Sequence, residues 1–165
     1  LQRSCFCPLY APTFLCSRNQ QIINDYKNGV SAIELAKKHE SWIKKTGAQA
    51  LIPVPIHKER HKKRGYNQAE ILARELGKRT GIAVCTDRLL RIRNTRPLKL
   101  FDRKERMEVL QGAFAVRSSS DFPENILLID DIYTSGSTME HAAGILKRAG
   151  VQNVYFLTVS IGQER

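Results

Sequence analysis

Ile126-Leu127-Leu128-Ile129-Asp130-Asp131-Ile132-Tyr133-Thr134-Ser135-Gly136-Ser137-Thr138 is the most informative run in this 165-residue chain. The segment Asn125–Ile129, continuously apolar from Ile126, has the pattern of a strand buried on both faces of a parallel sheet. That strand delivers two adjacent carboxylates, Asp130 and Asp131, at its tip. A loop of small hydroxyl residues with Gly136 then enters a helix that starts near Ser137. Glu140 stands three residues on, at capping-box spacing, and the helix ends before Gly150. Val154–Val159 reads as the next strand.

Upstream, Val30, Ile33, Ala36 and Ile43 recur near helical spacing from Val30 to about Thr46, with Gly47 as a stop. Ala50–Pro55 is a short apolar strand ending in two prolines, and a basic loop over 57–66 follows it. Asn67 can cap a helix in which Ala69, Leu72, Ala73 and Leu76 fall at i, i+3, i+4 and i+7, with Gly81 just beyond its end. Ile82–Ile92 is β-rich. Asp102 and Glu105 have capping-box spacing for a short helix through Leu110, and Ala113–Val116 reads as a strand. Residues 1–25 read as an irregular lead-in. Strands alternating with helices predict an α/β fold with a mostly parallel sheet flanked by helices. Ligands in such sheets bind at the carboxyl ends of the strands, where Asp130 and Asp131 lie.

The composition, 42% hydrophobic and 26% charged, supports a packed core and argues against wholesale disorder. Apolar runs stay far short of the ~18–20 residues that cross a bilayer, so no membrane insertion is expected. The chain opens without a basic stretch followed by an apolar one; no secretory signal is expected, and a cytoplasmic protein is. The formal charge is +11 and it is concentrated. Residues 57–64 carry net +4 and residues 88–106 net +6, so phosphates or nucleic acid are the expected partners. Cys5, Cys7 and Cys16 cluster early and Cys85 stands alone, a poor zinc spacing that favours free thiols.

The loop 134–138 offers backbone N–H groups, hydroxyls and the positive end of a helix dipole to one anion, most simply a phosphate. Paired carboxylates just upstream suit Mg²⁺ or a ribose diol. Together they describe a site for a sugar that bears a phosphate. The plainer alternative is a solvated acid pair and ordinary helix-capping chemistry, and spacing alone leaves both open. His57 and His61 have metal-ligand spacing but lie among bases that repel a cation, so solvation is expected. Tyr66 and Phe101 could stack on bases, core packing being the commoner fate. Trp42 fits a helix face, and Cys85 reads as a small core residue.

Residues 126–138 resemble the phosphoribosyl-diphosphate signature of type I phosphoribosyltransferases. Pro53-Val54-Pro55, then Arg60, Arg64-Gly65-Tyr66-Asn67-Gln68 and Leu72-Ala73, are similar to the ComF family, the competence-associated phosphoribosyltransferase-like proteins. Arg93-Asn94-Thr95 through Arg106, with Gly112-Ala113-Phe114, fits the same family, so the resemblance covers about residues 50–160. It implies a type I phosphoribosyltransferase-like domain over 26–165. Cys5, Cys7 and Cys16 in segment 1–25 would be the remnant of a zinc ribbon without an intact pair.

By that resemblance Asp130 and Asp131 hold the ribose hydroxyls, directly or through Mg²⁺, and are the catalytic candidates. Thr134, Ser135, Gly136, Ser137 and Thr138 cradle the 5′-phosphate. Arg60 and Arg64 face the diphosphate, and the stretch from Thr95 to Arg106, with Arg103 and Arg106, matches a lid. Two positions depart from the family: Leu98 replaces the usual Gln, and Val109 replaces an Asn three residues after the lid arginine. Both remove polar groups from the lid, which weakens catalysis more than phosphate binding. The implied ligand is phosphoribosyl diphosphate with Mg²⁺, in a role in DNA uptake beside competence proteins such as a DNA helicase. Two other readings are a non-catalytic single-stranded DNA module and a nucleobase salvage phosphoribosyltransferase.

Overall fold

The computed structural model describes residues 14–16, 37, 40–95, 105, 109–117 and 121–161, and ten elements are delimited among the described residues. They are β1 (Phe14–Cys16), β2 (Ala50–Pro53), α1 (Lys58–Arg64), α2 (Gln68–Thr80), β3 (Ala83–Val84), β4 (Leu89–Arg91), β5 (Phe114–Val116), β6 (Asn125–Tyr133), α3 (Ser137–Arg148) and β7 (Asn153–Ile161). Five strands form one sheet in the order β1-β7-β6-β2-β3. Every pairing in it is parallel, as the alternation of strands and helices predicts. β4 and β5 form a separate antiparallel pair.

Strand alternation sends successive side chains of β6 to opposite faces, and each face has its own core. Ile126 and Leu128 join Phe156, Met139, Ala142 and Leu146 on the α3 side, where Leu89 and Phe114 of the β4–β5 pair close the layer. Leu127 and Ile129 join Leu51, Leu72, Ala73, Leu76 and Leu157 on the α2 side. Each fully buried Leu or Ile here contributes about 1.5–3 kcal/mol of transfer free energy, which is why the buried part of the central strand, Ile126–Ile129, is apolar throughout.

The cap expectations for α2 hold. Asn67 Oδ1 accepts from the Ala69 N–H at 3.2 Å, and Gly81 closes the helix. Asn67 also donates through Nδ2 to the Val54 carbonyl at 3.0 Å. One buried amide therefore ties the end of β2 to the start of α2. Cys85 packs against the core as expected.

Four expectations need correction. The basic stretch 57–66 contains helix α1 and is not a loop: His57 accepts from the Glu59 N–H, and four bases in the last turn complement the helix dipole. β6 continues through the acid pair to Tyr133, because β7 goes on pairing with it. Gly136, and not Ser137, occupies the cap position of α3, with Ser137 the first helical residue. Residues 14–16, within the segment expected to be irregular, pair with β7 as β1. Of the helix expected over Val30–Thr46, residues 40–45 are helical, with Ile43 buried and Trp42 edge-on to Tyr155 at 6.4 Å. Val30, Ile33, Ala36, Phe101, Asp102, Cys5 and Cys7 lie outside the described residues.

Packing of α2 on β3 sets the first testable prediction. Alanine for glycine inside a helix usually stabilises by about 1 kcal/mol. A Cβ on Gly77, however, would lie 2.5 Å from Val84 Cγ2 and 3.0 Å from the Ile82 carbonyl oxygen. Gly77→Ala is therefore expected to destabilise by about 1–2 kcal/mol, as overpacking does. A urea melt giving a gain in stability for this variant would contradict the close approach of α2 to β3.

Candidate functional site

The sheet steps down at the acid pair. β2 pairs with Ile126–Ile129 only, and its last contact is the Val54 N–H donating to the Ile129 carbonyl at 2.8 Å. From Asp130 onward β6 is paired with β7 alone. Asp130 and Asp131 thus stand where the strand passes beyond its neighbour, at the carboxyl end of the sheet. Alternation gives Asp130 the face of Leu128 and Asp131 the face of Ile129. The Asp130 carboxylate bends back to accept the Asp131 backbone N–H at 2.9 Å. Burial pushes the Asp130 carboxyl well above the usual carboxylate range, and the Asp131 charge adds to that. The Asp131 N–H and the Arg91 guanidinium oppose the rise without cancelling it.

Beyond Tyr133 the chain turns sharply into α3. Gly136 has φ of 80°, and a Cβ there would meet the Tyr133 hydroxyl at 2.5 Å. Only glycine fits that turn without strain. No side chain caps α3, so its first turn has backbone N–H groups without a capping side chain. Ser135 and Ser137 are buried, and their hydroxyls lie 2.9 Å apart. The loop 134–138 is thus a compact turn with the positive end of a 12-residue helix behind it.

The expected arginines divide. Arg60 reaches from α1 to the Thr95 carbonyl, donating through Nη2 at 2.6 Å. Glu59, its neighbour, accepts from Asn94. Arg64 is exposed and makes a 3.4 Å contact with Gln68, one turn farther along α1. Arg103, Arg106 and Leu98 lie outside the described residues, whereas Val109 is helical and half-buried.

Sequence reasoning missed Arg91. It counted only as one of the bases in residues 88–106, but it occupies β4 two places after buried Leu89 and therefore shares its inward face. Its guanidinium lies over the Phe114 ring, 5.3 Å from the centroid, and Nη2 donates to Thr95 Oγ1 at 2.5 Å. Burial, then the nearby Arg60 charge, lowers its pKa, and Asp130 opposes that shift. Arg91 also lines a cleft of 460 Å³ between the β2–α1 connection and β4, with Pro55, His57, Lys58 and His61 among the other lining residues. Arg91 thus lines the cleft and lies near enough to Asp130 for the two charges to act on each other.

The oxygens of Asp130 and Asp131 are the hard donors that Mg²⁺ prefers. Among the described residues no group of three or more His, Cys, Asp or Glu side chains could hold a metal by itself. Two carboxylates alone would leave most of the octahedral shell of such an ion to water or to oxygens of a ligand. Among the described residues, no helix is long and apolar enough to cross a membrane.

No family model matches the chain. It is similar to Competence protein F of Haemophilus influenzae, 32% identical over 108 residues, which are 64% of this chain and 47% of that protein. Competence protein ComFC of Bacillus subtilis is 35% identical over 105 residues, 61% of this chain and 39% of that protein. Competence protein ComFC of Streptococcus pneumoniae is 33% identical over 112 residues, 68% of this chain and 48% of that protein. The chain thus spans less than half the length of each of these curated relatives.

Proposed function

Because the chain belongs to the ComF family over the segment it shares with those relatives, we propose that it binds phosphoribosyl diphosphate with Mg²⁺ and acts in DNA uptake beside other competence proteins, a DNA helicase among them. One observation carries the ligand assignment: an acid pair at the sheet step leads directly through the Gly136 turn to the uncapped start of α3. Acceptors for sugar hydroxyls and donors for a phosphate then sit on one continuous segment. In this reading Asp130 and Asp131 hold the ribose hydroxyls, and the 134–138 turn takes the 5′-phosphate through backbone N–H groups. Arg60 faces the diphosphate.

If the site turns over, the bond from C1 to the diphosphate oxygen breaks and its electron pair leaves with the diphosphate. A nitrogen lone pair forms the new bond to C1 and that nitrogen loses a proton. Bound Mg²⁺ supplies positive charge to the leaving oxygens. Arg60 adds to that stabilisation as charge develops.

Calorimetric titration with phosphoribosyl diphosphate and Mg²⁺ tests the proposal. Saturable binding to the native chain, lost in Asp130→Asn/Asp131→Asn, is the expected result. No binding to the native chain would sink it.

A second reading has its own support. None of the side chains of α1 is buried, so Lys58, Lys62, Lys63 and Arg64 form a basic surface beside exposed Tyr66. Single-stranded DNA fits such a surface, with affinity falling at a log–log salt slope of roughly −0.7 per phosphate contact. Neutralising Lys62, Lys63 and Arg64 would abolish that binding and leave Asp130→Asn without effect on it.

A further inference from the structure

Arg91 carries a buried Nε with no hydrogen-bond partner among the described residues. A buried guanidinium N–H left unpaired costs more than a neutral donor would, and such an orphan in a folded protein needs an explanation. Three further observations surround it. Arg91 lies on the wall of the 460 Å³ cleft. A second guanidinium, that of Arg60, is close enough to act on its charge. Both cations are tied to one neutral residue: Arg60 donates to the Thr95 carbonyl at 2.6 Å and Arg91 to the Thr95 hydroxyl at 2.5 Å. Thr95 is itself buried, and the Phe114 ring supports the other side of Arg91.

Like charges held together by a neutral clamp repel each other until an anion arrives. Lys58 lies along the same cleft and Glu70 is the one acid in its lining. Neither the acid pair nor the 134–138 turn accounts for this arrangement. We propose that Arg91 is an anion-binding residue that, with Arg60, takes the diphosphate of the sugar ligand, and that Thr95 is the positioning residue that aims both guanidinium groups. The inference deepens the phosphoribosyl-diphosphate reading and rests on it. It assigns to Arg91, which lines the cleft and lies near Asp130, the role that the sequence resemblance gave to exposed Arg64. A diphosphate suits the pair better than a monophosphate, because two separately charged groups can each meet one guanidinium.

The test separates the two halves of the ligand. Inorganic diphosphate with Mg²⁺, ribose 5-phosphate and phosphoribosyl diphosphate with Mg²⁺ are titrated into the native chain, Arg91→Gln, Thr95→Val and Thr95→Ser. A charge-assisted hydrogen bond is worth about 1.5–3 kcal/mol, so Arg91→Gln is expected to weaken both diphosphate-bearing ligands by roughly 10- to 100-fold. Thr95→Val should weaken them in the same direction, and Thr95→Ser, which keeps the hydroxyl, should restore them. Ribose 5-phosphate should bind the variants and the native chain alike. A purely structural role would instead lower the affinity of all three ligands together, with a lower melting temperature. That pattern, or unaltered diphosphate binding in Arg91→Gln, overturns the inference while leaving the sugar-phosphate site standing. A native chain that binds none of the ligands overturns the parent reading and this one with it.

Discussion

Gly136→Ala is expected to unfold at a clearly lower temperature than the native chain and to lose its affinity for a ribose phosphate. Two costs add at this position. A residue with a Cβ pays about 1–2 kcal/mol in the left-handed region, and Gly136 sits there at φ 80°. The new methyl would also lie 2.5 Å from the Tyr133 hydroxyl and 2.9 Å from Cζ of that ring. Relieving that overlap costs about 1–3 kcal/mol more, as overpacking does. At 2–4 °C per kcal/mol for a domain of this size, a fall of roughly 5–15 °C follows. Gly65 supplies the control, since it has the same φ of 80° with nothing within 4 Å of its would-be Cβ. Gly65→Ala should show the backbone cost alone and leave the phosphate turn intact. Equal melting shifts for the two variants would mean that Tyr133 does not pack against the turn.

The unequal fates of these residues explain which parts of the fold the sequence made legible. β6 announced itself because a strand buried on both faces has one readable pattern, and Asn67 because a cap has few chemical alternatives. Helix α1 was not legible for a physical reason. It buries no residue, so it has no apolar period to detect, and its helicity rests on a His57 cap and on charges arranged along the dipole. The length of β6 escaped notice for the opposite reason. Apolar patterning stops at Ile129, but backbone pairing with β7 does not depend on side-chain polarity and carries the strand to Tyr133. In the site, the acid pair and the turn occupy one segment and could be read together. Arg60 joins Arg91 and Thr95 only through tertiary packing, since Arg60 and Thr95 stand 35 positions apart. The one local clue was the spacing of Arg91 from buried Leu89 on a short strand, and a surrounding crowd of bases hid it.

Asp130→Asn is expected to make the protein more stable at neutral pH while removing its ligand, and the two effects have one cause. Asp130 is half-buried where β6 leaves its neighbour, next to another carboxylate, and its pKa in the folded chain stands well above the unfolded value of 3.8. The folded state therefore holds the Asp130 proton more tightly than the unfolded state does. Its contribution to stability is complete below the unfolded pKa and is lost as pH rises through the raised folded value. Once pH has risen through that raised value, the ionised side chain is a net burden on the fold, tolerated because a ligand needs it. Asparagine keeps the shape and an acceptor oxygen for the Asp131 N–H while removing the buried charge and its repulsion of Asp131. A gain of about 0.5–2 kcal/mol is the usual scale when a strained functional group is replaced. Melting curves taken across a pH series should show the native chain and Asp130→Asn converging toward acid and separating as pH rises, with the variant above. Binding of phosphoribosyl diphosphate with Mg²⁺, measured on the same samples, should be undetectable in the variant. A variant less stable than the native chain at neutral pH would mean that Asp130 is held by favourable contacts, the opposite of a charge kept in place for a ligand.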